Sequence, residues 1–213
     1  NILRANEGAG LSSGNLVLSG GVLETTGTFV RVEGTGASQV QWTGGAGGFS
    51  AYGTALTVNL GNDGRTQVWG NVSGTFSASE LVLNAATANN GLNFANGLDL
   101  NGADRAIGVY STNAAAAATL NGAILNSAGT AAGFVKLGAG TLILARTNTY
   151  DGATTVGDGT LKMGAANVMP AVSVVTLTNA PGVLLDLNGM NQTVGGLSGG
   201  GTYGGNVNLG AGR

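Results

Sequence analysis

The triplet Gly-Thr-Leu occurs at residues 140–142 and again at residues 159–161, an interval of 19 residues (159 − 140). A longer match without gaps joins LDLNGADRAIGVYS, from Leu98, to LDLNGMNQTVGGLS, from Leu185, at an interval of 87 residues (185 − 98). Four turns of about 22 residues would produce the second interval, and repeat periods of this size are typical of solenoid proteins. We therefore predict a coil with roughly 20 residues per turn.

Short β-forming runs occur along the whole chain and predict an all-β fold. Each run has about three to six residues, and many alternate apolar with polar residues, as in Leu98-Asp99-Leu100 and Leu161-Lys162-Met163. Glycine makes up 41 of the 213 residues and lies between the runs with Asn, Asp, Ser and Thr, the residues that form turns. The alanines at 114–118 are too few to hold a helix alone, and we expect a strand or a corner there.

The composition favours a parallel β-solenoid over a β-sandwich. Each solenoid strand pairs with its equivalent one turn away, at ~4.8 Å, so the inward position must be apolar in every turn and the corners must be small. The chain offers small aliphatic strand residues, glycine corners and only 5% aromatic residues. We predict one domain over residues 1–213, with about ten turns and a length of ~50 Å. A Greek-key β-sandwich is the alternative.

Residues 134–163 (FVKLGAGTLILARTNTYDGATTVGDGTLKM) resemble the autotransporter-associated β-strand repeat, also called the passenger-associated transport repeat. The matching positions are Lys136, Gly138, Gly140, Thr141, Leu142, Asn148, Thr149, Tyr150, Gly152, Thr154, Thr155, Val156, Gly159, Thr160 and Leu161. Ala145-Arg146 and Asp151 depart from the usual Ser-Gly and Thr without changing what the backbone must do. Residues 20–29 and 183–202 resemble companion segments of such proteins.

The resemblance implies a right-handed parallel β-helix that belongs to a longer, repetitive, exported bacterial protein. Such a protein is extracellular or displayed at the bacterial cell surface. The resemblance also implies how the best-matching segment folds. Asn148 to Gly152 connect two strands of one turn, Tyr150 covers a corner, and Leu142 stacks near Leu161 in the next turn.

The charged residues argue against several classes of function. The net charge is −2 and the eight basic residues are scattered, so no cationic face is available for nucleic acid. Without histidine or cysteine, triads that use either residue and imidazole or thiolate metal sites are excluded. No apolar run reaches the ~18 residues of a membrane span, and we expect no membrane insertion by this segment.

The remaining acidic residues have two interpretations. Asp99 with Asp186, at matching repeat positions, or Asp151 with Asp158, beside one strand, would form a catalytic carboxylate pair or a calcium site of the lyase type. We favour the simpler interpretation, in which each carboxylate is solvated or part of a turn. Gly61–Gly64 and Gly157–Gly159 resemble pieces of calcium-binding repeats but lack the nine-residue period. We therefore predict no catalytic, cofactor-binding or metal-binding residues, with calcium as the remaining alternative.

Two groups of side chains have both structural and binding interpretations. Trp42, Trp69, Tyr52, Tyr110 and Tyr203 would form a sugar-stacking strip, but they share no common spacing, and burial at a cap or under a loop is the preferred interpretation. Asn101 and Asn188 follow the repeated Leu-Asp-Leu. We expect them to satisfy backbone groups at corners, as asparagine ladders do in cross-β stacks.

These observations predict a non-enzymatic structural solenoid that forms or contributes to a surface fibre, filament or stalk. Residues 1–4 and 205–209 look able to form strands, and unpaired strands at the two ends favour pairing. We expect them to pair head to tail with another copy or with adjoining repeats. An adhesin that binds glycans or host surfaces is the alternative, and a polysaccharide lyase or hydrolase is the third hypothesis.

Overall fold

The computed structural model describes residues 1–6, 10–70 and 76–211. Their regular secondary structure consists of β-strands and two short 3-10 turns, at Leu60–Asn62 and Ala114–Ala116. The strands in chain order are β1 (Ile2–Arg4), β2 (Leu16–Leu18), β3 (Val22–Phe29), β4 (Val40–Trp42), β5 (Gly47–Val58), β6 (Gln67–Val68), β7 (Glu80–Leu83), β8 (Leu92–Phe94), β9 (Leu98–Asp99), β10 (Arg105–Gly108), β11 (Ala118–Leu120), β12 (Ile124–Leu125), β13 (Phe134–Leu137), β14 (Thr141–Leu144), β15 (Thr154–Val156), β16 (Thr160–Met163), β17 (Val174–Leu177), β18 (Leu184–Asp186), β19 (Gly196–Gly199) and β20 (Asn206–Asn208).

The strand pairing confirms the parallel β-solenoid. Every strand pair in the described part of the chain is parallel and joins one coil to the next. The first face consists of β1, the first halves of β3 and β5, then β7, β10, β13, β15, β17 and β19. The second face consists of the second halves of β3 and β5, then β8, β11, β14, β16, β18 and β20. A third side carries β2 paired with β4, and β6, β9 and β12.

The coils differ in length, so a single value near 20 residues does not describe them. Leu142 pairs with Leu161, an offset of 19, whereas Val58 pairs with Phe94, an offset of 36. Within the described residues, nine strands stack on the first face instead of the ten turns expected. The reason is that the coils in the middle of the chain carry longer connections at their corners.

The best-matching segment folds as the resemblance implied. Leu142 lies directly opposite Leu161 on neighbouring strands. Tyr150 is fully buried at the corner that leads into β15, and its ring meets the ring of Phe134 edge-on with centroids 5.6 Å apart. The two Gly-Thr-Leu triplets therefore start equivalent strands in successive coils.

The longer repeat has a different origin from the one that the sequence suggested. Leu98-Asp99 belongs to β9 on the third side, whereas Asp186 ends β18 on the second face. The two motifs therefore do not stack, and the interpretation as four whole turns is wrong. What they share is a corner: each aspartate accepts a hydrogen bond from the amide of the asparagine two residues later, at 3.0 Å. Both asparagines have φ of 52°.

Inward-facing side chains form apolar rows along the solenoid. One row on the first face contains Leu81, Ile107, Lys136, Val156 and Leu177, in which the lysine is the exception. Where the coils are longest, aromatic rings fill the wider interior: Phe29, Phe49, Trp42, Phe76 and Trp69 form a connected series with centroids 4.7–5.8 Å apart. The chain thus adapts the core to coil length by the size of its side chains.

A chain of buried hydroxyls crosses the core beside Tyr150. The Tyr150 hydroxyl lies 2.6 Å from Thr154 Oγ1, which lies 2.9 Å from Ser173 Oγ. Ser173 donates to the carbonyl of Gly152 at 2.9 Å. Because a carbonyl only accepts, the bonds run in one direction and Tyr150 is the first donor.

We expect Tyr150→Phe to lower the free energy of unfolding by about 1–2 kcal/mol, because the buried Thr154 hydroxyl loses its donor while the ring stays in place. Urea denaturation followed by circular dichroism measures the change. Tyr203→Phe is the matched control, since Tyr203 is 73% exposed, and it should change stability by less than about 0.5 kcal/mol. Equal effects of the two substitutions would show that the Tyr150 hydroxyl contributes little to stability.

Candidate functional surfaces

The carboxylates at the repeated positions accept hydrogen bonds that hold corners of the chain. Asp99 is buried and accepts hydrogen bonds from the Ser127 hydroxyl and amide and from the Asn101 amide. Burial alone would raise the pKa of Asp99, but these hydrogen bonds outweigh it and hold the pKa below its ordinary value. Asp186 forms an ion pair with Lys162 at 3.2 Å and accepts from Asn208. Since Asp99 and Asp186 lie on different sheets, they do not form a pair.

The other acidic candidates also shape the backbone. Asp151 accepts from the Asn126 side chain and the Ala132 amide, and these bonds lower its pKa. Asp158 accepts from the Gly159 amide, and Asp63 accepts from the Arg65 amide. Gly61–Gly64 and Gly157–Gly159 are turns. Across residues 1–6, 10–70 and 76–211, no three acidic side chains come together as a metal site would require.

The aromatic residues divide into buried and exposed sets. Trp42 and Trp69 are fully buried, and their indole N–H groups donate to the carbonyls of Gly47 and Ala78. Tyr52 lies under the Arg4 guanidinium at 3.5 Å, and Tyr110 donates to Glu80. Burial of the tryptophans is therefore confirmed, whereas the burial expected for Tyr52, Tyr110 and Tyr203 is wrong, because these side chains are exposed.

Buried asparagines that sequence reasoning missed join neighbouring coils at the corners. The Asn84 side chain accepts from the Ala51 amide in the preceding coil and donates to the Ala116 carbonyl in the following coil, both at 2.8 Å. Asn148 joins the Ile124 amide to the Val168 carbonyl in the same way. At each corner the backbone leaves the sheet, and the asparagine side chain supplies the hydrogen bonds between coils that strand pairing would otherwise provide. Asn101 and Asn188 donate to the carbonyls of Trp69 and Met163, as expected for corner asparagines.

Lys136 is the one basic side chain in the inward row of the first face described above. Its ammonium donates to the carbonyls of Gly138, Leu137 at 3.1 Å and Asp158 at 2.9 Å. Burial lowers the pKa of Lys136 to about 8, against the opposing effect of the Asp158 carboxylate. The side chain therefore ties β13 to the turn of the next coil without facing solvent.

The two outermost coils present exposed strands. Ile2 and Leu3 in β1 are 45% and 53% exposed, and Leu197 in β19 is 56% exposed. Strand β1 is held by the Arg4 guanidinium, whose Nη2 lies 2.6 Å from the buried Glu24 carboxylate. Two rows of inward-facing side chains end at these exposed strands. One row contains Leu3 and Leu23, and the other contains Val175 and Leu197.

The described residues contain no helix that is long and apolar enough to cross a bilayer. Residues 134–163 match the family model described as "Passenger-associated-transport-repeat". The chain is 38% identical over 164 residues to "Adhesin BmaC autotransporter" of Brucella suis biovar 1 (strain 1330). That alignment covers 76% of the chain and 4% of the relative, so the chain spans a small part of the relative's length. No solved structure gives a significant match. Residues 134–163 are a passenger-associated transport repeat, and the chain is a protein that carries this repeat.

Proposed function

We propose that the chain is a non-enzymatic, rod-forming segment of a bacterial protein displayed at or released from the cell surface. The observation that carries this proposal is the continuous parallel stacking of strands on two faces, with one apolar interior along the whole described chain. Main-chain hydrogen bonds that run along one axis give such a column stiffness without surface charge. The match to a passenger repeat and the likeness to an autotransporter adhesin support the location.

The rod proposal is tested by adding coils. Because Thr141 pairs with Thr160, residues 141–159 are one full coil, and five further copies inserted after Gly159 should lengthen the particle by ~24 Å. Electron microscopy of the particles measures the change. A variant with the same number of Gly-Ser residues inserted is the control, and it should leave the column height unchanged. Equal lengths for the two insertions would contradict the rod.

We further propose that the exposed end strands pair head to tail with the next solenoid coil. A parallel joint between β19 and β1 that keeps the inward side of each strand facing the interior shields Leu3 and Leu197 from water. Such a contact is heterologous and does not close, so copies of the chain would form filaments.

Sedimentation of the chain at rising concentration, with electron microscopy of the same samples, tests the joint. We expect association that Leu3→Lys or Leu197→Lys abolishes, because each substitution puts a charge into the apolar row. Val172→Lys is the control, since Val172 is 68% exposed and lies outside the strands. A chain that stays monomeric at all concentrations would show that copies do not pair in this way.

Adhesion is the second candidate function. The observation that favours it is the name of the relative, an adhesin. Glycans and host surfaces are the partners that the sequence suggested for this role. Binding of the isolated chain to a glycan array or to coated host proteins, at a level absent for an unrelated solenoid, would support it.

A further inference from the structure

A groove of about 310 Å³ runs across the first face from β1 to Tyr110, which follows β10. Its walls are mostly apolar and include Ile2, Val22, Val82, Ala85 and Ala86. Its polar residues are Glu80, Tyr110 and, at the β1 end, Asn1. The overhanging wall, Ala85 and Ala86, belongs to a connection that the short coils of residues 134–163 lack, because there the corner between the two faces is only Gly138–Gly140. The groove therefore depends on coil lengthening.

The polar part of the groove is a carboxylate and a phenol fixed against each other. Tyr110 Oη donates to Glu80 Oε1 at 2.6 Å. Gly108 lies beneath them, where a Cβ would collide with both Glu80 and the Tyr110 ring. Burial and the adjacent Glu80 raise the pKa of Tyr110 to about 12, so the phenol remains a donor and the carboxylate an acceptor.

Glu80 lacks a positive partner. Among the described residues, no basic side chain lies within ion-pair distance of it, and Tyr110 is its one hydrogen-bond donor. A half-buried carboxylate in apolar surroundings gains from a cation that brings its own apolar stem. The Tyr110 ring adds a favourable surface for the same cation.

We propose that this groove binds a lysine side chain presented by a partner protein. Four methylenes match the walls of valine, isoleucine and alanine, and the ammonium matches the carboxylate and the ring. A neutral sugar fits less well, because its hydroxyls need polar partners on several sides, whereas the polar residues of this groove are the Glu80–Tyr110 pair and Asn1 at the β1 end.

Nuclear magnetic resonance titration of the full chain, acetylated at Asn1 to remove the α-ammonium, tests this proposal. The probes are Nα-acetyl-lysine methylamide, the norleucine analogue that lacks the ammonium, and cellobiose. We expect the lysine compound to shift the amide resonances of Val82, Ala85 and Tyr110 with a dissociation constant on the order of 10 mM. The norleucine compound should bind at least about tenfold more weakly, and added salt should weaken the lysine complex.

Two substitutions locate the ammonium. Glu80→Gln should weaken lysine binding by about tenfold or more, and Ala86→Lys, at an exposed wall position, should weaken it by placing an ammonium in the groove. Asp63→Asn, in a distant turn, should leave binding unchanged. Equal binding of the lysine and norleucine compounds would overturn the proposal. So would shifts caused by cellobiose alone, the absence of shifts, or lysine binding that survives both Glu80→Gln and Ala86→Lys.

Discussion

Replacement of Asn84 by alanine is expected to lower the free energy of unfolding by about 4 kcal/mol. The fully buried side chain bonds to Ala51, Asn90 and Ala116, and each buried backbone group left without a partner costs about 1–3 kcal/mol. Asn84 also has φ of 77°, which alanine adopts at a cost of about 1 kcal/mol. Urea denaturation measures the total. Hydrogen exchange at the Ala51 amide reports whether the loss is local.

Asn167→Ala is the matched control for this prediction. Asn167 has φ of 50° but is exposed, and no side-chain hydrogen bond is found for it, so its substitution should cost only the strain of about 1 kcal/mol. Asn84→Asp keeps the shape of the side chain but turns an oxygen toward the Asn90 and Ala116 carbonyls. It should therefore destabilise strongly at pH 7 and less at low pH, where a protonated carboxyl donates. Similar losses for Asn84→Ala and Asn167→Ala would mean that the bridge between coils contributes little.

The free energy of unfolding should rise by about 2.5 kcal/mol between pH 7 and pH 10 because of Lys136. The folded chain holds the pKa of Lys136 at about 8, below the ordinary lysine value of 10.5. Between these values the unfolded chain binds more protons, so stability increases with pH. Above pH 10 the trend should reverse, because burial raises the pKa values of Tyr110 and Tyr150 to about 12 and the unfolded chain then loses those protons first.

Urea denaturation at several pH values checks the Lys136 prediction. Lys136→Met, which keeps the length of the side chain without a titrating group, should abolish the rise between pH 7 and pH 10. Lys162→Met, on the outward side of β16, is the control and should retain it. A rise that persists in Lys136→Met would show that another group causes it.

The 19-residue repeat pointed correctly to the solenoid, because stacking imposes the same demand on equivalent positions of successive coils. The paired Leu142 and Leu161 show this most directly. The strands that were not predicted from the sequence are rich in glycine. Gly47–Val58 contains Gly47, Gly48 and Gly53, which read as turn residues, yet Gly48 lies in the sheet so close to Val82 that a Cβ would not fit. A single sequence does not distinguish glycine in a turn from glycine in a tight strand.

The surfaces were less predictable than the fold. The two Leu-Asp-Leu-Asn-Gly motifs form the same local corner but lie on different sheets. Their sequence identity therefore does not indicate which strands pair. The groove with Glu80 and Tyr110 also left no local signal, since the two residues are 30 positions apart and meet only because Glu80 and Ala106 pair across coils. For Asn84, the signal was an asparagine directly after a strand, which is also what an ordinary turn shows.

The unequal coils have a consequence for how the size of such a protein relates to its sequence. Successive strands stay ~4.8 Å apart whether 19 or 36 residues separate them. Extra residues therefore widen the column at one level and leave its height unchanged. The reach of a protein built this way is set by how many times the chain circles the axis, so insertions at corners can add new surface without moving the ends.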